Sequence, residues 1–166
     1  QMPWKTAYDI NAASPIFHEG HLFFASGYDT GCGVFKVEAK GEQLSMSEVW
    51  RSKVLLNKFQ TCLLHEGKLY GSDQNSLACV DFMTGKEDWR MRGLKDGTLI
   101  LVEGHLVFLG SDGTLKIAKA SAEKFAPATS AQVLAARCWT VSVLNNGRLF
   151  ARDNVDRVVC FDLKAK

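Results

Sequence analysis

Histidine and cysteine are the residues of this chain whose chemistry is easiest to name, because both bind transition metals and cysteine is also a nucleophile. His18 and His65 occupy the same place in two similar phrases, and His21 and His105 share another. Zinc needs three or four ligands that converge on one ion. Because turns in separate structural units diverge, the spacing favours solvated turn residues. We therefore predict no metal site.

Five cysteines are scattered along the chain without a C-x-x-C pair: Cys32, Cys62, Cys79, Cys138 and Cys160. The pattern does not indicate a zinc ribbon or a thioredoxin-like dithiol. Most of these cysteines have apolar neighbours, as in "LACVDF" and "RVVCFDL", which is typical of small buried residues in strands. We predict no disulfide.

Motifs for catalysis are equally sparse. Ser26 and Ser111 lie outside any G-x-S-x-G pattern, and "GYDTGCG" lacks the strand–loop–helix setting of a phosphate-binding loop. Pairs of carboxylates for acid–base chemistry cannot be chosen without distances. The sequence therefore assigns no catalytic residue and favours a binding protein over an enzyme.

Composition excludes several classes of partner. The formal charge is +2, from 20 basic and 18 acidic residues spread along the chain, so no basic stripe indicates nucleic-acid binding. No apolar run approaches the roughly 20 residues of a membrane span. The start "QMPWKTAYDI" lacks the regions of a signal peptide, and the compartment stays unknown.

One sequence motif, here called the phrase, occurs four times. It combines an apolar segment, a polar turn ending in glycine, and a second apolar segment. The copies are "PIFHEGHLFFAS", "CLLHEGKLYGSD", "LILVEGHLVFLGSD" and "SVLNNGRLFARD", with glycines at Gly20, Gly67, Gly104 and Gly147. Each glycine is followed by a polar residue and then by leucine. A spacing of roughly 40 residues is typical of solenoids and propellers.

Each phrase predicts a β-hairpin, because glycine tolerates the positive φ of a tight turn and the flanks are rich in strand-forming residues. A third apolar segment follows each hairpin. A fourth follows in three units, as "SEVWRSK", "KEDWRMRG" and the Trp-less "SAQVLAAR". Four strands per unit of about 40 residues is the pattern of a β-propeller blade.

The fourth unit ends before its outer strand, whereas "MPWKTAY" at the other end carries Trp4 with no inner strands before it. This N-terminal segment matches the predicted outer strands around Trp50 and Trp89. We therefore predict an all-β propeller of four four-stranded blades in one domain, 1–166, whose N-terminal strand completes the last blade. The predicted blades are 9–52, 57–93, 95–136, and 137–166 together with 1–8.

The ending "CVDFMTGKEDW" of the second blade resembles the pyrroloquinoline quinone (PQQ)-like β-propeller repeat family. A blade of that family typically closes with l-D-x-x-T-G-x-x-x-W, which Val80 to Trp89 match fully. "CFDLKAK" matches in part, and the first and third blades depart from the pattern. The resemblance implies a bacterial protein of the periplasm or cell envelope.

Two branches of the family imply different functions. Quinoprotein dehydrogenases are eight-bladed, bind PQQ with calcium, use an aspartate base and carry a disulfide between adjacent cysteines. This chain has no adjacent cysteines and half the blades. It is more similar to the non-enzymatic branch, which uses the propeller as a docking surface and implies no cofactor. A PQQ-dependent dehydrogenase-like module, with PQQ and calcium, is one alternative, and a carbohydrate-binding or hydrolytic propeller is another.

Because family members usually have seven or eight blades, we expect two chains to form a homodimeric eight-bladed ring. In that ring the N-terminal strand of one chain would complete the last blade of the other. A closed four-bladed monomer and a fragment of a longer protein are the alternatives.

In propellers, the loops that lead into the inner strands share one face with the turns between second and third strands. A protein or small ligand is expected on this face. Its predicted residues are Asn11, Tyr28, Asp29, Lys58, Asp73, Asp96, Asp112, Arg137, Trp139 and Asp153. Asp73, Asp112 and Asp153 are alternatively simple turn formers. Trp139 occupies the repeat position of Phe59 and either stacks on a planar ligand or packs in the core.

Overall fold

The computed structural model describes residues 2–164 and is built almost entirely of antiparallel strands. The first sheet comprises Ile16–His18 (β1), His21–Ser26 (β2), Gly31–Lys40 (β3) and Gln43–Ser52 (β4). The second comprises Leu63–His65 (β5), Lys68–Asp73 (β6), Ser76–Asp81 (β7) and Glu87–Arg92 (β8). Each strand pairs with the one before it, so every sheet is a meander from an inner to an outer strand.

The third and fourth sheets continue the same order. The third comprises Gly97–Val102 (β9), His105–Gly110 (β10), Thr114–Lys119 (β11) and Pro127–Gln132 (β12). The fourth comprises Val143–Asn145 (β13), Arg148–Arg152 (β14) and Val158–Asp162 (β15). The predicted all-β propeller of four blades is thereby confirmed. In the described residues, no helix is long and apolar enough to cross a membrane.

The repeated glycines lie where the sequence placed them, in the turn between the first and second strand of each blade. In each turn both central residues have positive φ, as Glu66 (49°) and Gly67 (72°) illustrate. This is the two-residue turn whose twist matches that of a hairpin. The carbonyl of each glycine also accepts an N–H from the chain just beyond or near the end of the third strand, as from Phe82 to Gly67 at 2.9 Å. The turn thus fixes three strands of a blade at once.

The outer strands share a bulge next to the tryptophan position. Val34 pairs with Trp50 but Phe35 pairs with Glu48, and the same skip follows the pair of Cys79 with Trp89. The third blade has it too, since Ile117 pairs with Thr129 and Ala118 with Pro127. The outer strand predicted around "SAQVLAAR" therefore lies earlier, at Pro127–Gln132. It ends there because the N–H groups of Val133 and Leu134 turn inward to the carbonyl of Gly113.

Three apolar clusters join the blades in sequence. Phe23, Leu55 and Leu69 belong to the cluster between the first and second blades. Leu106 and Phe108 belong to the next. Val107, Leu115 and Leu149 belong to the one between the third and fourth blades. No strand pairing, apolar cluster or hydrogen bond within residues 2–164 joins the fourth blade to the first, so the four blades form an open arc.

The prediction that the N-terminal strand completes the fourth blade of its own chain is corrected by the structure. Within the described residues the fourth sheet has three strands, and residues 2–6 are not in a strand. Trp4 instead lies on the first blade, where its indole N–H donates to Ser26 Oγ at 3.0 Å. Its ring packs against Phe24 and Phe35, with centroids at 4.4 and 6.3 Å. These contacts hold the segment at the opposite end of the arc. Residues 1, 165 and 166 of the predicted blade lie outside the described residues.

Candidate functional site

Two sets of loops lie at the same end of the blades, as strand direction requires. They are the loops that lead into the inner strands (10–15, 53–62, 93–96 and 133–142) and the turns between second and third strands (27–30, 74–75, 111–113 and 153–157). We call their common surface the axial face. Every residue proposed from the sequence as a ligand contact lies in these loops, apart from Asp73, which ends β6 directly beside the turn 74–75.

The axial face carries an exposed pair of aromatic rings. Phe59 and Trp139 meet edge to face with ring centroids 5.7 Å apart. Their exposed fractions are 38% and 50%, which is high for side chains of this size. The guanidinium carbon of Arg137 lies 5.1 Å from the Trp139 ring, within the range of a cation–π contact. Phe59 leads into the second blade and Trp139 into the fourth, so the pair joins loops of two blades that are not consecutive in the chain.

A second aromatic pair lies at the first blade. Tyr8 and Tyr28 meet edge to face at 5.4 Å, and the Lys58 ammonium lies 5.6 Å from the Tyr28 ring centroid. Because Lys58 immediately precedes Phe59, the loop 53–62 contributes to both aromatic pairs. Tyr8 and Tyr28 have positive φ values of 60° and 54°. Asp9 and Asp29 beside them also have positive φ. Non-glycine residues in this conformation carry backbone strain, which concentrates at functional loops.

Asp96 is the acidic group beside this cationic surface. Partial burial raises the pKa of its carboxyl, the nearby Lys58 ammonium opposes that rise, and Asp73 adds to it. The backbone carbonyl of Asp96 accepts the N–H of Ser111, which fixes the short loop to the next turn. The Asp96 carboxylate therefore lies near enough to the Lys58 ammonium for their charges to interact, without a salt bridge between the two within residues 2–164.

Three other predicted site residues have structural roles, two of them as the turn formers that the sequence offered as the alternative. One carboxylate oxygen of Asp153 accepts the N–H groups of Val155, Asp156 and Arg157 at 3.0–3.1 Å. The backbone bond of Arg157 leads the effects that lower the pKa of Asp153. Asp112 caps its turn through the N–H of Thr114. Asp29 forms a 2.6 Å surface salt bridge with Lys53.

Asn11 supports the N-terminal segment. Its amide oxygen accepts the Ser26 hydroxyl at 2.9 Å, and its amide nitrogen donates to Thr6 Oγ1 at 3.2 Å. Since Ser26 also accepts from Trp4, Asn11 belongs to the network that holds residues 2–6 on the first blade. It is therefore committed to a contact within the chain.

Asp73 forms a buried ion pair that sequence reasoning did not foresee. Arg90 Nη1 lies 2.9 Å from its carboxylate, and the guanidinium also binds Ser76 Oγ, the Val54 carbonyl and Glu87. Burial raises the pKa of Asp73, and the charge of Arg90 opposes that rise. Arg90 reaches from the second blade to the backbone that follows β4, so the pair stabilises the contact between the first two blades. A cleft of about 360 Å³ opens beside it.

Within the described residues, the cysteines and histidines form no metal-binding cluster at the axial face. Cys32, Cys62, Cys79 and Cys138 are buried, and Cys160 is exposed. Burial raises the pKa of Cys32 and of Cys79 to about 11, so these thiols stay protonated near neutral pH. In residues 2–164, no group of three or more His, Cys, Asp or Glu side chains is placed to hold a metal ion.

Two aromatic residues, one in the axial face and one beside it, were not among the proposed ligand contacts. Phe59 was recognised only as the repeat counterpart of Trp139, although the two rings touch. Tyr8 was assigned to an outer strand, whereas it lies in the short 3₁₀ turn Ala7–Asp9 that precedes the first blade. The run "AYDIN" between the Trp4 segment and β1 was the available signal, since Asp and Asn favour turns.

The fold defines the class of this protein as a β-propeller, and comparison with known proteins supports that class. No protein family and no curated protein sequence matches the chain. Among solved structures, BamB from Moraxella catarrhalis is similar, with a TM-score of 0.61 and 16% identity over 85% of this chain and 40% of that one. The chain thus spans less than half of BamB.

Two further solved structures share the arrangement. The computationally designed Ika4 protein has a TM-score of 0.69 at 11% identity, and the match covers 92% of both chains. Glutaminyl cyclase from Myxococcus xanthus has a TM-score of 0.54 at 18% identity, over 93% of this chain and 66% of that one. At such identities the likeness concerns the fold alone, and it extends to proteins of different kinds.

Proposed function

We propose that this chain is a PQQ-like repeat propeller that acts as a non-catalytic scaffold and binds an acidic, extended protein segment on its axial face. The observation that carries the proposal is the exposed cluster of Phe59, Trp139 and Arg137. Aromatic and arginine side chains dominate the binding energy of protein interfaces. A rigid sheet scaffold that presents them on loops is a common arrangement for binding.

The charge of the face supports an acidic ligand. In the part of the chain that the structure describes, neither Lys58 nor Arg137 forms a salt bridge. Both lie over aromatic rings, which hold the cations at the surface without neutralising them. A segment that carries carboxylates between apolar residues would pair with these cations and cover the rings.

The enzymatic alternatives find less support. Calcium takes six to eight oxygen ligands, whereas Asn11 is bound within the chain and Asp96 has no cluster of carboxylates around it in residues 2–164. These residues therefore do not fit PQQ with calcium. A hydrolytic site needs two cooperating carboxylates. The acidic group that contributes to the raised pKa of Asp96 is Asp73. The carboxylate of Asp73 forms a salt bridge with Arg90.

We also propose that the arc is completed by a second copy of the chain, which would place two axial faces around one axis. A homodimer of this kind doubles the binding surface and brings two copies of each aromatic cluster into one ring. Multivalent display strengthens binding without any new contact.

Peptide binding tests the scaffold role. Short synthetic peptides of acidic, neutral and basic composition, each with aromatic residues, are titrated against the protein by calorimetry. We expect the acidic peptides to bind and the double variant R137A/W139A to weaken that binding more than about tenfold. M83A is the matched control, because Met83 is 47% exposed on the turn after β7, at the opposite end of the blade. Equal binding by R137A/W139A, or no binding by any peptide class, would contradict the proposal.

A further inference from the structure

The two ends of the arc are complementary. Each blade carries a row of directly paired side chains on the face toward the next blade. The rows are Ile16, Phe23, Val34 and Trp50; Leu63, Tyr70, Cys79 and Trp89; Ile100, Val107, Ile117 and Thr129; and Val143, Phe150 and Cys160. Apart from Thr129, which is exposed, the members of the first three rows belong to the clusters that join neighbouring blades. Within residues 2–164 the fourth row has three members and faces solvent.

The exposed fractions of the row residues differ between the fourth blade and the other three. Phe23, Tyr70 and Val107, the second members of the first three rows, are 2–4% exposed, whereas Phe150 is 38% exposed. Val158 beside it is 71% exposed. An apolar cavity of about 240 Å³ lies on this face. The fourth blade thus presents a surface of the kind that the other three bury, and β15 leaves the outer edge of its sheet unpaired within the described residues.

The first blade presents the reciprocal surface. Leu69, Leu106 and Leu149 lie on the faces toward the preceding blade and are completely buried. Their counterpart Leu22 is only partly buried, and Phe17 next to it is 66% exposed. A cavity of about 480 Å³ opens on this face and is lined by Leu22, Phe17, Leu44 and Met46 together with Met2 and Pro3 of the N-terminal segment.

The N-terminal segment has the features of an outer strand. Trp50 and Trp89 each donate their indole N–H to a carbonyl of the following blade, Phe82 and Ser121 respectively. Trp4 also donates to the blade that follows it in the chain, the first, although its acceptor is the hydroxyl of Ser26 at the end of β2 and not a carbonyl beyond the third strand. In the alignment on the tryptophans, Pro3 falls on the bulge position of the outer strands. Proline is tolerated there because a bulge residue is left out of the ladder.

We infer that two copies of this chain close into an eight-bladed ring, in which residues 2–6 of each copy form the fourth strand against β15 of the other and Trp4 lies opposite Cys160. This inference rests on the proposal that a second copy completes the arc, and it specifies the contact. A second copy supplies both missing parts at once, since it brings an outer strand for β15 and a first-blade face for the Phe150 row. The contact is heterologous and closes after two copies.

Light scattering after size-exclusion chromatography measures the first consequence. We expect the protein to have twice its 18.4 kDa mass. V158K should raise the dimer dissociation constant more than about tenfold, because the lysine would lie in the apolar contact while Val158 is exposed in the single chain. The control M83K introduces the same charge at an exposed site away from both ends and should remain dimeric. A monomeric wild-type protein, or a V158K variant as dimeric as M83K, would overturn the inference.

A cross-link tests the register. With Trp4 opposite Cys160, Lys5 lies opposite Val159, close enough for a disulfide between the chains. The variant K5C/V159C/C160S keeps Trp4 and should form covalent dimers under mild oxidation. K5C/E123C/C160S, with its second cysteine at an exposed site of the third blade, should not. Equal cross-linking of the two variants would overturn the register. Peptide binding to monomeric V158K then tests the axial face separately, so that either proposal can fail alone.

Discussion

Phe23 and Phe150 occupy the same position in the first and fourth repeats, three residues after the glycine of the hairpin turn. Phe23 is 2% exposed and packs in the cluster between two blades, whereas Phe150 is 38% exposed on the last one. The side chains are identical and their strands pair alike. The difference teaches that burial in this fold depends on the neighbouring blade and only weakly on the strand itself.

Truncating the two phenylalanines should therefore have unequal effects. We expect F23A to lower the free energy of unfolding by about 3–5 kcal/mol, the usual cost of removing a buried aromatic side chain. F150A should cost only about 1 kcal/mol. Urea denaturation of both variants in a V158K background, where self-association is suppressed, gives the comparison. Similar losses would show that the fourth row is already buried in a single chain.

Two ion pairs allow a second comparison between interior and surface: the buried pair of Asp73 with Arg90 and the exposed pair of Asp29 with Lys53. R90M leaves Asp73 buried without its partner and should cost about 3 kcal/mol near neutral pH. K53M removes only the exposed contact with Asp29 and should change the stability by less than about 1 kcal/mol. Equal effects of the two substitutions would mean that the Asp73 pair is not structural.

The pH dependence of R90M has a defined sign. The pKa of Asp73 in the folded protein is raised above its usual 3.8 by burial, and losing Arg90 raises it further. An acid whose folded pKa exceeds its unfolded pKa binds more protons when folded, so stability rises as the pH falls through that window. Relative to wild type, R90M should regain stability on acidification from neutral pH toward pH 4. A loss that stays constant over this range would contradict the account.

The repeats made most of the fold predictable. The glycine turns and the tryptophan strands carry local signals, namely positive φ at Gly67 and its counterparts and an aromatic residue beside a bulge at Trp50 and Trp89. The sequence has no comparable local signal for the blade against which Trp4 packs. The sequence predicts an outer strand around Trp4, whereas residues 2–6 are not in a strand, and the contacts of Trp4 with Ser26 and Phe35 join residues that are distant in the chain.

The axial face was only partly predictable for a related reason. Asp112 and Asp153 were recognised as alternative turn formers because aspartate favours turns, and in the structure their carboxylates accept backbone N–H groups within a few residues. The pairing of Asp73 with Arg90 joins two strands of one blade and reaches the blade before it, and no local pattern indicates it. The meeting of Phe59 with Trp139 likewise depends on how successive blades are oriented.

The reactivity of Cys160 tests the central claim most directly, because this thiol lies in the exposed row beside Phe150 while its repeat counterpart Cys79 is buried. Labelling with a water-soluble thiol reagent is followed at increasing protein concentration. The account predicts one fast-reacting thiol in dilute protein that becomes protected as two chains close the ring, and permanent reactivity in V158K. Fast labelling of Cys160 at every concentration would contradict it.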